Sequence, residues 1–215
     1  MVMIMVALPA LVLGLAILTV SEPARSGLHP AASGSGTDPA FFAFLRERRA
    51  VVLPMLIGFG SISLCGYTMV AWGPAYIGRR FGLSPADYGP ALGAVNLCAA
   101  LSIIVLGRVV DRLFEAGRRD IHLWLYGWMT LAAIPVGIAI FLMSAPIGYF
   151  LLYALLLIAT APSLVFVSSI FALLAPSALR ARLVTLFLFI YTVIGLGIGP
   201  VVVGAMTDYV FRDEA

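Results

Sequence analysis

The sequence predicts an all-α membrane protein with six transmembrane helices. Hydrophobic residues make up 62% of its 215 positions and charged residues only 11%. A soluble chain of this size carries about a quarter charged residues. The apolar residues fall into runs long enough to cross a hydrocarbon core of about 30 Å, with short basic stretches between them. All 13 basic residues are arginine, and they cluster in those stretches, as membrane orientation requires.

Residues 1–20 are a nearly unbroken apolar run and form the first span. A cleaved signal peptide is the competing reading, but no basic segment precedes the run. With residues 21–50 inside, Arg25, Arg46, Arg48, Arg49, Arg108, Arg112, Arg118, Arg119, Arg180 and Arg182 are all cytoplasmic. Only Arg79, Arg80 and Arg212 remain outside. A cleaved signal would reverse that asymmetry, so the spanning reading is preferred. Residues 21–50, 108–120 and 175–182 are therefore expected on the cytoplasmic side of a cell (inner) membrane.

Residues 26–39 are rich in Ser, Gly and Pro and read as a flexible linker, with His29 a solvated loop residue. Asp38-Pro39 has the pattern of a helix start. Phe41, Phe42, Phe44 and Leu45, followed by Arg46, Arg48 and Arg49, suggest a short interfacial helix.

The second span is expected over 51–77, interrupted by Pro54 and Pro74, with Trp72 and Tyr76 in its outer aromatic belt. Ser84-Pro85-Ala86-Asp87 resembles a capping box and opens the third span, 88–107. The fourth covers 121–143, the fifth 148–174 with Pro162 inside, and the sixth 183–207. The domain reading is thus a span at 1–20, a cytoplasmic linker and interfacial helix at 21–50, five spans within 51–207, and an outer tail at 208–215. Prolines are tolerated inside such helices because neighbours satisfy the freed backbone groups.

No span interior contains Asp, Glu, Lys, Arg or His, apart from His122 at an interface. Buried charges mark proton relays and ion pathways, and membrane enzymes need ionisable groups facing a cavity. An enzyme is therefore disfavoured, and no catalytic residue, metal or cofactor is expected. Cys65 and Cys98 lack metal-ligand spacing and read as small hydrophobes. Nucleic acid is not an expected partner.

Polar groups inside the spans are the candidates for a substrate cavity. Ser61, Cys65, Thr68 and Trp72 share one face of the second span, with Tyr67 beside them. Asn96, the only Asn, lies in the third span, Ser163 and Ser169 in the fifth, and Tyr191 and Thr192 in the sixth. A hydroxyl in a helix has an alternative use, bonding its own backbone. Asn96 and Tyr191 are the stronger candidates, because polar groups of that size in lipid need partners. Of these, Tyr67, Thr68, Trp72, Asn96, Ser163 and Tyr191 are taken as cavity residues.

Gly195 and Gly199 are four apart and make a smooth face for close helix approach. Pro200 deprives the Leu196 carbonyl of its partner and kinks the helix. With Gly204, this element reads as a packing groove or as a bending element, and the two are compatible. Asp111 stands one turn from Gly107. It is either a solvated carboxylate balancing Arg108 and Arg112, or a latch on the N-terminus of a neighbouring helix.

Gly107-x-x-x-Asp111-Arg112, followed by Gly117-Arg118-Arg119, resembles the cytoplasmic loop motif of the major facilitator superfamily, in the copy between helices eight and nine. It departs from that motif by the extra residues 113–116. Gly199-Pro200-x-x-x-Gly204 is similar to the glycine-proline motif of the family's fifth helix, here in its pseudo-symmetric partner, the eleventh. Residues 1–20 then resemble the sixth helix of a twelve-helix fold and residues 51–207 the seventh to eleventh. Gly66-Tyr67, Ala71-Trp72-x-Pro74-Ala75-Tyr76, Phe81-Gly82-Leu83-Ser84 and the Gly195–Asp208 element resemble spinster-type members.

This resemblance implies proton-linked export of amphipathic lipids, with other solutes in bacterial relatives. It also implies an incomplete chain, whose partner is the missing N-terminal half and which offers one wall of a small-molecule cavity between two bundles. The alternative is a non-transporting six-helix membrane scaffold or regulatory subunit.

Overall fold

The structure is a computed structural model that describes residues 11–19 and 39–211; structural absences refer to those residues. The linker, the Asp38 cap, Arg25, His29 and Arg212 lie outside them, as do the ends of the first expected span. Residues 11–17 form a helix, α1, within a first compact unit covering Met1–Pro39. The remainder, Ala40–Ala215, is a second unit.

The second unit is built from helices. The short α2 (Pro39–Glu47) leads into α3 (Arg49–Phe81), α4 (Pro85–Glu115) and α5 (Ile121–Leu142). The next span is broken into α6 (Pro146–Thr160) and α7 (Ser163–Leu174), and the last begins as α8 (Ser177–Thr192). That last helix widens to a π-helical stretch at Val193–Ile198, resumes as α9 (Gly199–Ala205), and widens again over Met206–Phe211. Five of these segments are long and apolar enough to cross a membrane: Arg49–Phe81, Pro85–Glu115, Ile121–Leu142, Pro146–Leu174 and Ser177–Tyr209.

Two clusters fill the interior. One centres on Phe59, Tyr126, Phe166, Phe171 and Phe187, the other on Ile77, Ile140, Tyr149 and Tyr153. Large apolar residues also face outward, among them Trp124, Trp128, Leu131, Ile134 and Ile138 along α5. A helix apolar all round has one side on its neighbours and the other on hydrocarbon.

The helix boundaries follow local chemistry. At the start of α4, Asp87 Oδ2 accepts from the Ser84 amide at 2.9 Å and from the Ser84 hydroxyl at 2.6 Å, so the expected cap forms. α3 ends where Gly82 takes φ +66°, a left-handed turn that glycine adopts without strain. Pro162 cannot donate to Ile158, and the helix breaks there between Thr160 and Ser163.

One boundary corrects the sequence reading. The basic stretch from Gly107 is not a loop; α4 continues to Glu115, and Gly107, Asp111 and Arg112 are helical. Val110 is 1% exposed, and Leu113 and Phe114 pack on the first cluster, so apolar 3–4 spacing carries the helix on. Termination comes at Gly117, φ +97°. The last helix also passes residue 207, with helical turns to Phe211.

Candidate functional site

α3 and the last span approach each other closely at a row of glycines. Gly195 and Gly199 are buried and lie against Ser63, Leu64, Tyr67 and Thr68. A methyl group at Gly199 would stand 2.9 Å from the Leu64 carbonyl oxygen, and one at Gly195 would stand 2.8 Å from Ser63 Oγ and collide with the Tyr67 ring. On the α3 side Gly60 plays the same part, where a methyl would meet Ile194 Cδ1 at 2.9 Å. Small residues thus let two membrane helices touch backbone to backbone.

The π-helical stretch sits in this seam. Pro200 has no N–H for the Leu196 carbonyl, and its ring would crowd that oxygen in a regular helix. Widening the preceding turn relieves the crowding, and the Gly199 amide bonds Ile194 O, five residues back. Widened turns disturb the regular pairing of carbonyls, and two here are met from α3. Ser63 Oγ lies 2.8 Å from Tyr191 O and 2.6 Å from Gly60 O, so its single proton is shared between them. Trp72 Nε1 donates to Pro200 O at 3.1 Å. The bend thus keeps a widened backbone ladder of its own and is braced from α3 by Ser63 and Trp72, an arrangement from which a hinge can be made.

Tyr67 and Tyr191 meet edge to face with centroids 6.2 Å apart. Ser163, 1% exposed and first in α7, presents its hydroxyl to both Tyr126 and Tyr191. Tyr126 OH and Thr130 Oγ1 are buried and complete no hydrogen bond with good geometry. Hydroxyls of α5, α7 and α8 thus converge at the Pro162 break.

Thr68 and Trp72 open onto a cleft of about 500 Å³, shared with Tyr76, Phe141, Tyr149 and Val203, with Arg79 and Arg80 at the end of α3. Tyr76 stacks on Tyr149 at 5.6 Å and meets Phe141 edge to face at 5.3 Å. The Thr68 hydroxyl is buried without a partner.

The structure separates the other sequence candidates. Ser61 and Cys65 are exposed, and Ser61 bonds its own Ile57 carbonyl at 2.9 Å. Asn96 lies on the exposed face of α4, and its amide donates to Leu92 O at 2.8 Å, within its own helix. Ser169 is half-buried and Thr192 exposed. Gly204 approaches Trp72, where a methyl would stand 3.5 Å from the indole. Asp111, Arg112, Gly117, Arg118 and Arg119 are exposed. Asp111 acts electrostatically on His122, which is 8% exposed and packed between Phe114 and Phe166. Ser63, Tyr126, Tyr149 and the arginine-tipped cleft escape sequence reading. They are assembled from several helices, and only Arg79-Arg80, a basic pair on the side that the sequence reading expects to be sparsely charged, signals the cleft in one dimension.

The chain matches no protein-family model. It is 32% identical over 174 residues to a protein described as an MFS-type efflux pump from Mycolicibacterium smegmatis, a match covering 77% of this chain and 38% of that protein. Its fold is similar to a bacterial homolog of the human lysosomal transporter spinster, solved inward-facing and unoccupied. That likeness has a TM-score of 0.67 and 25% identity, and covers 92% of this chain and 42% of the other. The chain therefore spans about two fifths of the length of each. By sequence and by fold it belongs with the major facilitator superfamily, and it is spinster-like over the part that is matched.

Proposed function

We propose that this chain is the C-terminal bundle of a facilitator-type secondary transporter that moves an amphipathic or organic small molecule by alternating access. The likeness to two transport proteins, each matched over about two fifths of its length, carries this reading. The geometry supports it. A proline-bent, π-widened helix is seamed to α3 by glycines, and such a seam lets two helices slide or rock without opening a void. The aromatic and hydroxyl side chains of Tyr67, Thr68, Trp72, Ser163 and Tyr191 suit a largely apolar solute with few polar groups. Asn96 belongs to this wall only if a further bundle covers its face of α4. Gly107, Asp111, Arg112, Gly117, Arg118 and Arg119 serve as the cytoplasmic gate, at the opposite end of α4 from Asp87.

Five further helices before this chain and one after it supply the other wall and the titratable groups for coupling. A lipid-like, spinster-type substrate fits the aromatic lining, and an inner membrane fits the arginine distribution, ten inside and three outside by this threading.

Reconstituting the complete transporter in liposomes tests the proposal. Substrate-dependent flux is expected for at least one member of a panel of lysolipids and amphipathic drugs, and Tyr191→Ala is expected to lower it about tenfold or more, roughly 1.4 kcal/mol of barrier. An absence of flux across the panel would favour the scaffold reading instead.

A further inference from the structure

Arg79 and Arg80 are the pair that the orientation of the chain leaves unexplained. Basic residues are depleted on the side away from the cytoplasm, yet two adjacent arginines close α3 there. Both are exposed, and among the described residues no carboxylate comes within ion-pair distance of either. Both line the mouth of the cleft described above, whose walls are Trp72, Tyr76, Phe141 and Tyr149. From Arg79 inward to Thr68 is 11 residues of helix, about 16 Å. A volume of about 500 Å³ lies within the range of small-molecule sites, about 300–1,000 Å³.

We propose that this cleft is a binding site for an anionic phospholipid of the membrane, with its phosphate on Arg79 and Arg80 and an acyl chain between Trp72, Tyr76, Phe141 and Tyr149. The charge order fixes the occupant. Two unpaired guanidiniums sit at headgroup level, where each offers a fork of donors to phosphate oxygens. The aromatic walls run from there toward the bilayer centre, where a free anion would have nothing to gain and a hydrocarbon chain would. A zwitterionic lipid would bring its own cation against the arginines. The site shares Thr68 and Trp72 with the proposed substrate wall but opens between α3, α5, α6 and the last span of one bundle, and its occupancy is read by lipid binding rather than by transport. A lipid held there ties the Trp72 end of the glycine seam to α5 and α6, so it would bias the bend at Pro200.

Trp72 is the natural reporter. With Trp124→Phe and Trp128→Phe it is the sole tryptophan of the three in the chain. The chain is placed in phosphatidylcholine vesicles containing a minor fraction of either brominated phosphatidylglycerol or brominated phosphatidylcholine, and quenching of Trp72 is compared. A roughly thirtyfold preference for the brominated anionic lipid is expected, from two cations each contributing about 1 kcal/mol near the surface. The preference should weaken with added salt. Arg79→Gln with Arg80→Gln should abolish it, and Arg79→Lys with Arg80→Lys should retain most of it. Equal quenching by the two lipids would overturn the proposal, leaving ordinary boundary lipid or a further helix as the occupant. So would a preference that survives the glutamine pair. The salt series on the unsubstituted arginines keeps the test decisive even if a double variant fails to fold.

Discussion

Gly199→Ala is expected to destabilise the bundle by about 2–3 kcal/mol, and Gly199→Leu to prevent its assembly in mild detergent. The reason lies in what the new Cβ meets. At Gly199 it would stand 2.9 Å from the Leu64 carbonyl oxygen, a backbone atom that cannot turn aside. At Gly195 the obstacles are the Tyr67 ring and the Ser63 hydroxyl, side chains with some freedom to move. Gly195→Ala should therefore cost less than Gly199→Ala, although it also displaces the hydroxyl shared with Tyr191 O. Gly197, two residues away, has nothing within 4 Å of the added atom. Gly197→Ala should change stability by no more than about 0.5 kcal/mol, and in the stabilising direction if helix propensity dominates. Thermal or denaturant unfolding in detergent measures all four. Equal effects at 197 and 199 would show that the seam does not hold the two helices together.

Pro200→Ala is expected to act in the opposite sense on stability and strongly on turnover. Alanine supplies the N–H that Leu196 lacks and removes the ring that forces the turn to widen. The π-helical stretch Val193–Ile198 should then close to an ordinary helix, with stability unchanged or slightly raised. The Trp72 bond to the carbonyl of residue 200 needs no proline and can persist. If the bend is the moving part, flux through the complete transporter should fall at least tenfold, about 1.4 kcal/mol, with the protein still folded. Full turnover in a straightened variant would reduce Pro200 to a packing residue.

Much of this architecture is legible in the sequence because a membrane leaves few choices. Apolar runs of about 20 residues separated by arginines can do little but span, and the five described spans fall where those runs lie. The Ser84–Asp87 cap is equally readable, since its partners are three residues apart. What depends on depth or on pairing is not. The end of α4 looked like a loop because Arg108, Asp111 and Arg112 dominate its composition, while the helix is carried on by Val110, Leu113 and Phe114 on the other side. Asn96 looked like a residue in need of a partner, yet its own helix satisfies it at Leu92 O.

The glycine seam was half visible. Gly195, Gly199 and Pro200 announce a close approach, but nothing in one dimension says that α3 makes it, or that Ser63 caps the carbonyl of Tyr191. Polar residues opposite glycines draw attention only once the pairing is known. The same holds for the arginine-tipped cleft. Its aromatic walls come from α3, α5 and α6, and Tyr149, fully buried, is indistinguishable in sequence from any interfacial tyrosine.

Orientation underlies the gate, the cavity and the lipid site alike, and cysteine labelling in intact cells tests it most directly. With Cys65→Ser and Cys98→Ser as background, one cysteine is introduced by Ala116→Cys, in the turn after α4, and another by Ala86→Cys, in the first turn of α4; both positions are exposed. A membrane-impermeant maleimide should label position 86 and spare position 116 until the membrane is opened. Labelling of position 116 from outside, with position 86 protected, would invert the threading and remove the basis for the cytoplasmic gate.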